Sequence, residues 1–111
     1  MKIVSLDGIV PEGVSHNPAI KKRVMLGHDA VPNLSMFSQA RFGPGQVATA
    51  HAHTAMTEVF FVESGRGIIR IDDQSHALTP GVCVVVEPGE VHEIENTDRS
   101  DLVLTYFGVR P

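Results

Sequence analysis

Apolar and polar residues alternate along most of this chain with a period of two, in short runs cut by Gly, Pro, Asn and Asp. KIVSL at 2–6 predicts a short strand, closed by a turn at Asp7-Gly8. Residues 8–20 hold Gly8, Pro11, Gly13, Asn17 and Pro18, a density of breakers that predicts a loop or irregular arm. KKRVML at 21–26 reads as a strand and GHDAVPN at 27–33 as a turn. In LSMFSQARF, Leu34, Met36, Ser38, Ala40 and Phe42 fall on one face, with Ser35, Phe37, Gln39 and Arg41 on the other. After Gly43-Pro44-Gly45, VFFVES at 59–64 and GIIRID at 67–72 form a hairpin across Gly65-Arg66-Gly67. SHAL (75–78), VCVVVE (82–87), VHEIEN (91–96) and DLVLTYFGV (101–109) follow, separated by Asp72-Asp73-Gln74, Pro80-Gly81, Pro88-Gly89 and residues 97–100. Turn signals every eight to twelve residues or so between β-rich runs predict an all-β sandwich or barrel. The best helix candidate, Ala48–Met56, is discounted by its Thr and His content and its alternation.

The 111 residues make one domain, with residues 1–20 a peripheral N-terminal strand or arm. Composition is that of a soluble globular protein, with 42% hydrophobic and 20% charged residues and a net charge of −4. Lys21-Lys22-Arg23 is the one basic run and reads as a solvated strand edge, so nucleic acid is not an expected partner. No apolar run reaches the roughly 18 residues of a membrane span, and MKIVSLDG lacks the apolar region of a signal peptide. A cytoplasmic protein is expected. The single Cys83, inside VCVVV, excludes an intrachain disulfide and reads as a small buried hydrophobe.

Chemistry concentrates between Gly45 and Gly65. His51 and His53 are two apart, so they share a face on a strand but would lie roughly 200° apart on a helix. Glu58 follows after a bend at Thr54–Thr57 and opens an apolar strand, where a carboxylate is costly unless paired or metal-bound. His92 opens a later strand. Of the remaining histidines, His16 and His28 read as loop and turn residues and His76 as surface. Three imidazoles and a carboxylate, with no thiolate, suit Mn, Fe, Ni, Co, Zn or Cu and exclude an iron–sulfur cluster.

Gly45-x5-His51-x-His53-x4-Glu58-x6-Gly65 resembles the first motif of the cupin superfamily, and Gly81-x7-Gly89-x2-His92-x3-Asn96 resembles the second. One position departs: the family's proline would fall at 87, where this chain has Glu87 followed by Pro88, which predicts an altered turn and a retained His92. The resemblance implies a jelly-roll β-barrel (a double-stranded β-helix) of the small single-domain type. It implies one divalent transition metal bound in the bore by His51, His53, Glu58 and His92. It also implies a homodimer, for which KIVSL can add to a partner's sheet.

Strand parity with the ligands makes Phe60 and Ile94 pocket-lining residues. Met56 is placed at the mouth, and Gln39, with Arg41 on the same face, is a candidate for orienting an anion, although a solvated face is the plainer reading of Arg41. Asn96 reads as satisfying a turn. No acid or base stands apart from the ligands, so catalysis would rely on the metal or the substrate. The expected function is a metal-dependent enzyme on a small organic substrate, of dioxygenase or related oxidoreductase type. Lewis-acid isomerase, cyclase or lyase chemistry and a non-catalytic metal- or ligand-binding module are the alternatives.

Overall fold

The computed structural model describes residues 1–111. Ten strands form two antiparallel sheets: β1 (Glu12–Val14), β2 (Asn17–Leu26), β3 (Leu34–Phe42), β4 (Val47–His51), β5 (Thr57–Ser64), β6 (Gly67–Ile71), β7 (Gln74–Leu78), β8 (Cys83–Val86), β9 (His92–Glu95) and β10 (Leu102–Val109). The larger sheet runs β1-β2-β3-β10-β5-β8 and the smaller β4-β9-β6-β7. This is the all-β class that the turn spacing predicts, in the jelly-roll form that the cupin resemblance implies. The one helical element is a single 3-10 turn at Leu6–Gly8.

Three Pro-Gly turns shape the roll. In residues 43–46, 79–82 and 87–90 the last amide donates to the first carbonyl at 3.1, 3.0 and 3.2 Å, and Gly45, Gly81 and Gly89 take φ of 77°, 91° and 86°. Proline presets the second position of such a turn and glycine supplies the positive φ of the third. Each turn therefore requires its Pro-Gly pair. Moving the proline from 87 to 88 yields this same turn, with His92 opening β9.

The inward faces pack Ile20, Ala40, Phe42, Phe60, Val62, Ile69, Leu78, Ile94, Leu102 and Leu104 into one core. Parity decides membership. On β8, Val84 and Val86 turn inward while Cys83 and Val85 face out. Cys83 is thus exposed, contrary to the buried-hydrophobe reading, because its register puts it on the outer face.

The N-terminal segment departs further. KIVSL forms no strand, and Ile3 and Val4 are exposed. The breaker-rich stretch instead yields β1 and most of the first half of β2, and Ile20 is fully buried. Glycine explains this: a Cβ on Gly13 would lie 2.7 Å from the Pro18 carbonyl oxygen, so the two strands approach only because it is absent. Asn17 then pins the hairpin down, its Nδ2 donating to the Val47 carbonyl at 3.0 Å.

Asn96 does more than satisfy a turn. It is fully buried, and its Nδ2 donates to the carbonyls of Phe42 and Ser100 at 2.9 Å each, while its Oδ1 accepts from the Asp98 amide at 2.9 Å. It ties the end of β3 to the loop before β10. Asn96→Ala should lower unfolding free energy by about 2–3 kcal/mol, from three lost bonds at roughly 1 kcal/mol each. Urea denaturation checks this; an unchanged midpoint would show that water replaces the amide.

Candidate metal centre

The histidines and Glu58 reach one spot from opposite sheets. β5 lies between β10 and β8, and Glu58 is paired with Gly108 and Val86 across those two neighbours. Alternation makes Glu58, Phe60 and Val62 the buried face of β5. From the smaller sheet come His51, the last residue of β4, and His92, the first of β9, which are register partners. His53 lies just beyond β4, where the Gly89 amide donates to its carbonyl at 2.8 Å. The Pro88-Gly89 turn thus anchors the segment that carries His51 and His53.

The donor atoms of His51, His53, Glu58 and His92 all lie within 4.8 Å of one another. Glu58 Oε1 is 3.0 Å from His53 Nε2 and 3.2 Å from His92 Nε2. Those separations suit hydrogen bonds, but the alignment does not, and both Glu58 Oε1 and His92 Nε2 are buried without a hydrogen-bond partner. Buried polar atoms are rarely left so. Two orphaned lone-pair atoms facing each other, with two further imidazoles beside them, fit a cation.

Backbone carbonyls orient two rings. His51 Nδ1 lies 2.7 Å from the Thr49 carbonyl, and His92 Nδ1 3.2 Å from that of Glu90. A carbonyl only accepts, so each Nδ1 carries the proton and each Nε2 presents a lone pair, the form a metal requires. Burial lowers the His51 pKa, against the Thr49 carbonyl, which raises it. For His92, burial is the largest single influence and also lowers, yet the Glu58 carboxylate and the Glu90 carbonyl together raise it above the ordinary value.

A cavity of about 100 Å³ opens beside the centre. His51, His53 and Glu58 border it, and Ala40, Phe42, Phe60, Ile94 and Leu104 make apolar walls. Phe60 and Ile94 are among the residues that border it. Gln39 is not: it sits on the outer face, its Nε2 donating to Glu63 at 2.7 Å, because β3 turns its even-numbered residues inward. Arg41 shares that outer face and pairs with Asp101 at 3.2 Å. Met56 is not at the cavity either, since it packs its sulfur against Gly108.

His16, Tyr106 and Lys22 also line the cavity, where the sequence made His16 a loop residue and Lys22 a solvated edge and left open which of Tyr106 and Phe107 points inward. His16, in the β1–β2 turn, stacks on His51 with centroids 3.5 Å apart and planes 13° from parallel. Its pKa is lowered by burial and by the charges of His53 and His92. Nothing local marks it, since the hairpin brings it there. Tyr106 faces inward and stacks on Phe60 at 5.3 Å, while Phe107 faces out toward Phe37. Burial and the Glu58 and Glu12 charges raise the Tyr106 pKa, keeping it a neutral phenol. Lys22 lines the cavity too, a correction to the solvated-edge reading of its run. Extending the strand back to Asn17 was the signal available, because Ile20, Lys22 and Val24 then share a face.

The Cupin domain family matches residues 38–108, a span that holds all four donors. The chain belongs to the cupin family. This cupin is 27% identical over 105 residues to an oxalate-binding protein of Thermotoga maritima, covering 90% of this chain and 87% of the relative. Among solved structures, a predicted oxalate decarboxylase from Thermotoga maritima superposes with a TM-score of 0.91 at 22% identity, covering 99% of this chain and all of that one. KdgF from a Halomonas species superposes at 0.83 with 21% identity, over 100% of this chain and 96% of that chain. A sugar phosphate isomerase from Silicibacter pomeroyi also gives 0.83, at 17% identity, over 99% and 76%. At these identities the likeness establishes a shared fold.

Imidazoles bind metal only when neutral, so protons compete. The raised His92 pKa means competition begins above the ordinary imidazole value of about 6.5. Mn(II) or Zn(II) affinity, measured by isothermal titration from pH 8 down to about pH 5.5, should fall continuously through that range. A flat profile would place the metal on other groups.

Proposed function

We propose that this cupin is a metal-dependent enzyme acting on a small organic acid, with one divalent transition metal held by His51, His53, Glu58 and His92. The observation that carries the reading is the orphaned pair Glu58 Oε1 and His92 Nε2 at the edge of a small, mostly apolar cavity. The relatives named for oxalate support the substrate class, and a 100 Å³ cavity suits a ligand of that size.

When bound, such a metal supplies Lewis-acid activation of a chelated carboxylate and, if redox-active, a route for oxygen-dependent chemistry. The chain's own residues prepare the site. The Thr49 and Glu90 carbonyls hold two imidazoles in the ligating tautomer. Glu58 supplies the negative charge that offsets a dication. Phe42, Phe60, Ile94 and Leu104 limit water around the bound acid, which strengthens each polar contact made there. A non-catalytic ligand-binding role is the second reading, favoured by the name of the Thermotoga maritima relative.

Elemental analysis of protein purified without added metal should find about one transition-metal ion per chain, as one four-donor site implies. His92→Ala should lower that occupancy more than the roughly 10-fold typical of losing a supporting partner. Oxalate should raise the melting temperature of metal-loaded protein and leave EDTA-stripped protein unchanged. Carbon dioxide release or oxygen uptake with oxalate would mark an enzyme, and saturable binding without either would mark the second reading. Wild-type protein that takes up none of Mn, Fe, Co, Ni, Cu or Zn would sink the proposal.

A further inference from the structure

Lys22 is the one cationic side chain bordering the cavity apart from its histidines. It shares a face of β2 with the fully buried Ile20 and the half-buried Val24, and its ladder partner on β3 is Ala40, itself a cavity wall. The residue is half-buried, yet it takes part in no ion pair. Its ammonium contacts the Met36 sulfur at 3.6 Å, a weak acceptor. Its partner across β1–β2 is Glu12, exposed at the sheet edge and not bonded to it. Lys21 and Arg23, its neighbours in sequence, are absent from the cavity lining.

A half-buried cation at the border of a mostly apolar hollow is better stabilised when an anion joins it. Tyr106, on the far side of β3 from Lys22, also lines the cavity, as do Ser15 and the histidine and Glu58 groups. An ammonium and a phenol hydroxyl both donate, so together they suit an acceptor with several oxygens.

We propose that Lys22, assisted by the Tyr106 hydroxyl, is the specificity-determining anion site of this cavity. It binds the carboxylate oxygens that a ligand turns away from the metal, and so selects small dianionic acids over monoanionic chelators. The inference rests on the metal-dependent reading above and names the group that reads the substrate's far end. It also gives the β1–β2 hairpin a role, since the strand that contributes Lys22 is held to the roll by Asn17.

The test compares wild type, Lys22→Met and Lys22→Arg, each loaded with Mn(II), by titration with oxalate and with acetohydroxamate, a monoanionic chelator. Losing one charge-assisted bond should weaken oxalate binding by about 10- to 100-fold in Lys22→Met. Metal content should stay at the wild-type level, and acetohydroxamate affinity should change by less than about 3-fold, since its weaker charge makes a smaller demand on the cation. Lys22→Arg keeps the charge and should recover most of the oxalate affinity. Equal loss for both ligands, or a Lys22→Met protein that binds oxalate like wild type at unchanged metal content, overturns the role of Lys22 and leaves the metal-dependent reading standing. Metal-loaded wild type that binds no oxalate overturns both.

Discussion

Glu58 is a carboxylate on a middle strand of the larger sheet, 7% exposed, with Phe60 and Val62 continuing its face into the core. Desolvating such a charge alone costs several kcal/mol, and only close partners offset it. The nearest groups come from the other side of the roll, the Nε2 atoms of His53 and His92 at 3.0 and 3.2 Å, and neither hydrogen-bonds to it. A dication held among these atoms would meet the demand of the buried carboxylate and couple the two sheets.

That coupling depends on turns as much as on ligands. The Pro88-Gly89 turn sets where β9 begins, and so where His92 points. Its Gly89 amide also holds the His53 carbonyl. Asn96, four residues past His92, locks the far end of β9 to β3. Backbone geometry thus places the donors, and small shifts in any turn would move several of them together.

Histidines and Glu58 border the cavity, apolar side chains from both sheets form its walls, and the N-terminal hairpin contributes His16, stacked on His51, and Lys22. An apolar hollow with few polar groups is the usual form of a small-molecule site, in which those groups set orientation. Here the hairpin, peripheral by sequence, supplies two of them.

The β class, the Pro-Gly turns and the shared faces of Glu58 with Phe60 and of His92 with Ile94 are legible in the residues alone, because period-two alternation and turn chemistry are local properties. The sequence also presented the four metal-ligand candidates, through the spacing of two short motifs. That Lys22, His16 and Tyr106 line one cavity, that Gln39 and Cys83 face outward, and that β1 and β2 grow from a breaker-rich stretch emerges with the packed fold. Those outcomes rest on register and on contacts between strands far apart in the chain, such as Gly13 against Pro18 and Asn17 against Val47. A pattern of alternation shows which residues share a face, whereas only the closing of the sheets shows what that face meets.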